Sequence, residues 1–249
     1  MLITGATGGL GSALAENYAA AGRTLILHGR DAARLAALSQ TCEAHGARVI
    51  QLTFDLRDAD AVVRELRLVS QREPIDLAIV NAGVTRMIGA GEEAESWEVG
   101  REILAVNLDG ALATVAGVLP DMRRRGCGQI ALMSSLAGVY GLPQTPTYSA
   151  SKAALKAYGE ALRLWLAPQG VAVNVVLPGF VVTPMTASLK GPKPALLSSE
   201  RAALLIRGGL ARNQACIAFP RSLAWGLRWL SVMPAPLTER IMRALGFSE

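Results

Sequence analysis

Apolar residues along this chain fall into two alternating rhythms. Short runs rich in Val, Ile, Leu and Ala, at residues 2–3, 24–28, 49–54, 77–81, 129–134, 172–177 and 215–219, read as strands. Between them, apolar positions recur at helical spacing over residues 9–21, 32–44, 59–70, 96–125, 147–167 and 199–212. Several of the strands are apolar without interruption, as parallel strands buried on both faces are. This order predicts an α/β fold, a Rossmann-type doubly wound parallel sheet of about seven strands with helices on both faces and ligands outside the strands' carboxyl ends. No repeat or long linker interrupts it, which predicts a single domain over residues 1–249.

The same hydropathy raises a membrane alternative and then removes it. Residues 126–151 and 164–189 carry no charge, and each stretch is long enough to span a bilayer. Pro143, Pro146, Pro168, Gly170, Pro178, Gly179 and Pro184 would break any helix through them, so they read as buried strands with loops. The start, Met1-Leu-Ile-Thr-Gly, lacks the charged segment and apolar run of a secretory signal, which predicts a cytoplasmic protein.

Charge and cysteine usage narrow the chemistry. The net charge of +5 comes from 21 Arg and four Lys against 20 acids. These basic residues are scattered and aromatics are few, which predicts no nucleic-acid partner. Arg123-Arg124-Arg125, the one basic run, reads as a solvated helix C-terminus stopped by Gly126. Cys42, Cys127 and Cys216, with His28 and His45, have neither metal-ligand spacing nor a disulfide framework.

Two local patterns carry candidate chemistry. Thr4-Gly-Ala-Thr-Gly-Gly-Leu-Gly11 follows the first strand and opens the first helix, where glycines let backbone N–H groups approach a pyrophosphate. Tyr148-Ser-Ala-Ser-Lys152 stacks a phenol and an ammonium one helical turn apart. A cation that close stabilises the phenolate and lowers a pKa of about 10, giving an acid that works near neutrality. In a chain that uses Arg nearly everywhere, Lys152 supplies a compact ammonium suited to a proton relay. Each pattern has a bland rival, a tight structural turn in one case and an ordinary surface pair in the other.

Further segments in order give the chain a resemblance to the single-domain short-chain dehydrogenase/reductase family, from Met1 to about Met185. They are Phe54-Asp55-Leu56, Asn81-Ala82-Gly83, Val106-Asn107-Leu108, Ser135 thirteen residues before Tyr148, and Pro178-Gly179-Phe180-Val181-Val182-Thr183. The resemblance implies a pyrophosphate loop of Gly5, Thr7, Gly8, Gly9, Leu10 and Gly11, with Asp55 and Leu56 against the adenine. It implies cofactor contacts from Asn81, Ala82, Gly83, Pro178 and Gly179, with the Val181 backbone and Thr183 holding the nicotinamide carboxamide. For catalysis it implies that Tyr148 gives a proton to the substrate oxygen, while Lys152 lowers its pKa and holds the ribose hydroxyls. Ser135 would donate to the carbonyl oxygen, and Asn107 would bind a water that extends the proton path. Ser134 is the neighbouring candidate, and spacing favours Ser135. Gly5, Gly8 and Gly11 also fit GxxGxxG, similar to the extended branch acting on nucleotide sugars, but that branch needs a larger substrate domain.

Cofactor choice is readable after the second strand. Gly29 stands where an NAD enzyme usually has an acid, and Arg30 suits a 2′-phosphate, which favours NADP(H) over NAD(H). Asp31 reads as a helix cap that could also reach the ribose.

Beyond Thr183, residues 185–213 read as a substrate lid and 221–249 as an apolar helical tail with Arg221, Arg228, Arg240 and Arg243. That tail packs on its own domain or a sister subunit of a homodimer or homotetramer, or makes a peripheral membrane contact. Leu136, Val139, Leu142, Pro143 and Met185 near the acid carry no charge, so the expected small-molecule substrate is a neutral, hydrophobic ketone. The alternatives are a non-catalytic dinucleotide sensor and a membrane-surface reductase of lipid ketones.

Overall fold

The computed structural model describes residues 1–88 and 94–246. Its strands are β1 (Leu2–Ile3), β2 (Thr24–His28), β3 (Arg48–Leu52), β4 (Leu77–Val80), β5 (Gly128–Met133), β6 (Val171–Pro178) and β7 (Cys216–Phe219). They form one parallel sheet in the order β3-β2-β1-β4-β5-β6-β7. Strand order reverses beside β1, whose Leu2 lies between Ile26 and Ala78, so the ligand crevice is expected at the carboxyl ends of β1 and β4.

Successive strand residues point to opposite faces, and the core divides accordingly. Leu25, Leu27, Ile79, Ala131 and Met133 pack beneath α1 (Gly9–Tyr18), α2 (Ala32–Ala44) and α8 (Ser199–Ala211). Ile26, Ala78, Val80, Ile130 and Leu132 pack beneath α3 (Ala59–Arg72), α5 (Gly110–Arg125) and α6 (Pro146–Leu166).

Several expectations change. The helix read over 96–125 is α4 (Trp97–Leu104), a π turn (Ala105–Asp109) and α5. Trp97–Arg125 is long and apolar enough to cross a bilayer, yet 61% of its most apolar window is buried, so it is a core helix. Residues 126–151 hold β5, a 3-10 turn (Leu136–Gly138) and the start of α6, as their prolines and glycines require. Gly126 does end α5 with φ of 65°, but the arginines before it are not simply solvated. Arg124 and Arg125 pair with the buried Asp121, and Arg125 also reaches Asp76 at 2.9 Å and the Ile75 carbonyl at 2.8 Å. Arg123 lies over the Trp165 ring.

The segment 185–213 also divides. α7 (Pro184–Ala187) and the chain to residue 198 border the site, whereas α8 buries Ala202, Ala203, Ile206 and Leu210 against the sheet. Only the first part suits a lid. The tail forms α9 (Arg221–Leu230) and α10 (Ala235–Ala244), whose Ala224, Leu227, Leu230 and Met242 join Leu136, Val175 and Leu177 in a third apolar cluster. Residues 247–249 of the expected tail lie outside the described residues.

Candidate active site

The glycine loop is fixed by its first residue, to which the sequence assigned no role of its own. Thr4, fully buried at the end of β1, accepts from the Asn81 and Ala82 amides at 3.0 and 3.1 Å through Oγ1. Asn81 Nδ2 donates back to the Thr4 and Gly5 carbonyls at 3.0 and 3.2 Å. Gly5 sits at φ of 63°, and a Cβ on Gly11 would fall 2.2 Å from the Gly5 carbonyl oxygen, so both positions require glycine. α1 starts without a side-chain cap, leaving its first-turn N–H groups facing the cleft. That donor set fits a pyrophosphate.

His28 is the second residue missed. Its Nε2 bonds the Phe54 carbonyl at 2.8 Å and its Nδ1 accepts from Gly5 N at 3.5 Å. Burial lowers its pKa, so it is a neutral ring bracing the loop. Its place at the end of β2 was the available signal, one residue before Gly29, where a Cβ would stand 2.8 Å from Thr7.

A cleft of about 360 Å³ runs from Arg30 past the loop to Ser135 and Thr183. Every residue expected to touch cofactor lines it, and so do Ser135, Tyr148 and Lys152. Arg34, not anticipated, lines it beside Arg30. Asp31 is engaged as the cap of α2, accepting from Arg34 N at 3.0 Å and pairing with Arg34 Nε at 3.2 Å. Asp55 accepts from Arg57 N and Nε, both at 2.9 Å, and these bonds hold its carboxyl below the usual range.

The proton-handling groups meet where β5 ends against α6. Ser135 Oγ accepts from Ala137 N at 3.1 Å and faces the cleft. Ser134, the rival, turns under α6 and donates to the Lys152 carbonyl at 2.6 Å. Lys152 Nζ donates to the Met133 carbonyl at 2.8 Å and lies 5.7 Å from the centre of the Tyr148 ring. Burial lowers its pKa from 10.5 to about 8. Tyr148 departs from expectation: burial raises its pKa, and the hydroxyl of Ser135, not Lys152, pulls the other way. The ammonium lies over the ring and is bonded to the Met133 carbonyl, and burial outweighs what lowers the phenol's pKa.

Asn107, fully buried in the π turn, does not line the cleft. Its Oδ1 accepts from Val84 N at 2.7 Å, while Nδ2 donates to the Val84 carbonyl at 2.9 Å and Ser151 Oγ at 3.2 Å. A Cβ on Gly83 would lie 3.3 Å from both Asn107 Oδ1 and Lys152 Nζ, so that glycine keeps the gap between them open.

A second cavity, of about 460 Å³, adjoins the first. Leu136, Leu142, Pro143 and Met185 line it as expected, joined by Phe180 and by Leu227, Trp229 and Met242 of the tail. Val139 does not; it faces the groove beside α6. Lys190 is the one charged side chain among the described lining residues.

Comparison with known proteins gives a consistent picture. The family profile for short chain dehydrogenase matches residues 1–193. An uncharacterized oxidoreductase of Myxococcus xanthus is 38% identical over 98% of this chain and 96% of its own length. The 3-oxoacyl-[acyl-carrier-protein] reductase FabG of Aquifex aeolicus is 33% identical over 76% of each chain. Among solved structures, a short-chain dehydrogenase from Sphingobium yanoikuyae in complex with NADPH superposes with a TM-score of 0.80 at 26% identity, covering 98% of this chain and 92% of that one.

Proposed function

This chain belongs to the short-chain dehydrogenase family and is an oxidoreductase acting on a CH–OH group; from that premise we propose that it uses NADP(H) to reduce a neutral, hydrophobic ketone in the cytoplasm. One observation carries the reading. Ser135 and Tyr148 line both the dinucleotide cleft and the apolar cavity, so a carbonyl held between them faces the cofactor on one side and its apolar substituents on the other.

A nicotinamide held in the cleft by the glycine loop, Val181 and Thr183 would supply hydride to the carbonyl carbon. Ser135 Oγ donates to the carbonyl oxygen and stabilises the charge that develops there. Tyr148, a neutral phenol at working pH, gives that oxygen its proton. Lys152 replaces the proton from within the protein, and its pKa of about 8 suits it to cycle near neutrality. The cavity walls beside the reacting atoms are mostly apolar, and Lys190 is the one charged side chain in the described part of them. A homodimer or homotetramer belongs to the same proposal, with exposed Leu164 and Trp165 on α6 as surface for it to cover.

A panel of ketones and keto acids assayed with NADPH and NADH in parallel tests this reading. Turnover confined to charged keto acids would overturn it. Arg30→Ala should raise KM for NADPH about tenfold or more while leaving KM for NADH unchanged, because a charge-assisted bond to the 2′-phosphate is lost. Equal effects on both cofactors would remove Arg30 from phosphate recognition.

Burial of the Lys152 charge also has a stability consequence. Its folded pKa lies below its unfolded value, so the unfolded chain holds more protons between about pH 8 and 10.5 and stability contributed by this group rises with pH across that window. The Tm of the protein should therefore gain on that of Lys152→Met as pH rises through 8. A constant difference would place the charge elsewhere.

A further inference from the structure

We propose that the outer face of α9 and α10 docks on an anionic lipid bilayer, turning the mouth of the apolar cavity toward the membrane. α9 spends Ala224, Leu227 and Leu230 on the core, so its inner face is complete. On the other side, Arg221, Trp225, Arg228, Trp229 and the following Val232 recur at helical spacing along one exposed stripe. Trp225, Trp229 and Val232 are 58%, 62% and 75% exposed. α10 adds exposed Leu237 and Arg240. Arg228 lies over the Trp225 ring at 5.9 Å. Tryptophan at headgroup depth with arginine beside it is the composition of an interfacial helix.

Two further observations choose the partner. α9 and α10 carry Arg221, Arg228, Arg240 and Arg243 against Glu239 alone, so this face is complementary to an anionic surface. A second copy docked by the same face would bring two sets of Arg221, Arg228, Arg240 and Arg243 into one interface against only the two copies of Glu239, which like-charge repulsion opposes. Moreover, Trp229 and Leu245 are both exposed and part of the cavity wall, so the cavity opens through this patch. A ketone dissolved in the bilayer would reach Tyr148 without crossing water. That last consequence rests on the hydrophobic-ketone reading; the docking itself does not.

Flotation with vesicles tests the docking independently of turnover. The protein should float with phosphatidylcholine vesicles containing phosphatidylglycerol, stay in solution with phosphatidylcholine alone, and be released by salt. The double variants Trp225→Ser/Val232→Ser and Arg221→Gln/Arg240→Gln, all outside the cavity wall, should each lower the bound fraction about tenfold, with turnover of a water-soluble ketone unchanged. Should either variant misfold, brominated lipid in the anionic vesicles decides on the wild-type protein, whose tryptophan fluorescence it should quench. Absence of flotation, unquenched fluorescence, or undiminished binding by the variants overturns the proposal. So does a dimer that Trp225→Ser/Val232→Ser dissociates while flotation persists, which would assign the face to a second copy.

Discussion

Replacing Tyr148 by Phe should lower kcat for ketone reduction by about 10²–10⁴-fold, the usual contribution of a positioned general acid, while NADPH binding measured by fluorescence titration stays near wild type. Phenylalanine keeps the ring that packs beside Lys152 and removes only the hydroxyl that faces Ser135. Ser135 would still polarise the carbonyl, so residual turnover reports what that hydroxyl does alone. The direction of the Tyr148 pKa gives the experiment its sense. Burial keeps the phenol protonated, the form that reduction consumes, whereas oxidation of an alcohol requires the phenolate. Full activity in the variant would mean that the proton comes from another group. Unchanged dinucleotide binding without turnover, in the variant alone, separates an enzyme from a dinucleotide sensor.

Gly138→Ala should cost about 10²-fold in kcat and roughly 1–3 kcal/mol in stability, although the residue touches neither substrate nor cofactor. Gly138 ends the 3-10 turn capped by Ser135, and a Cβ there would stand 2.7 Å from both the carbonyl carbon and oxygen of Lys152 and 2.9 Å from the Ala153 nitrogen. Those atoms are helix backbone and cannot step aside. Either α6 shifts, carrying Tyr148 and Lys152, or the turn shifts, carrying Ser135. A displacement of about 1 Å between such groups is enough for the expected loss. Gly141→Ala is the control, because its Cβ would meet only Ser149 at 3.9 Å. Parallel measurement of kcat and Tm decides: wild-type values for both at Gly138→Ala would show that the contact yields freely.

The sheet and the dinucleotide cleft were legible because each depends on local sequence. Uninterrupted apolar runs give buried parallel strands, and glycines at loop positions give close backbone approach. Spacing favours Ser135 over Ser134; both line the cleft, but the Ser134 hydroxyl is spent on the Lys152 carbonyl and only Ser135 also lines the apolar cavity. What escaped reading depends on contacts between distant segments. Thr4 serves residues 77 and 78 positions away, and His28 serves Gly5 and Phe54. Spacing does place Lys152 over the Tyr148 ring, but the burial that raises the phenol's pKa and the Lys152 bond to Met133 depend on how β5 and α6 pack. Val139 was assigned to the pocket by proximity in sequence, but a 3-10 turn sends it to the other side. The tail's apolar residues were visible, whereas their division between cavity wall and exposed stripe required the packing of α9 against β7.

The π turn at Ala105–Asp109 has a consequence for the whole helical arm from Trp97 to Arg125. In a regular helix each residue advances about 100°, so the direction of every side chain is fixed by counting from the start. A wider turn absorbs an extra residue and resets that count. Downstream, Gly110 and Gly117 must face Leu56 and Leu66, where a Cβ would come within 2.7 Å of the Leu56 carbonyl oxygen and 2.6 Å of the Leu66 Cβ. Within the turn, Asn107 must face Val84 and Ser151. The reset sets the direction in which α5 presents Gly117 to α3, downstream of the turn that holds Asn107 against Val84 and Ser151.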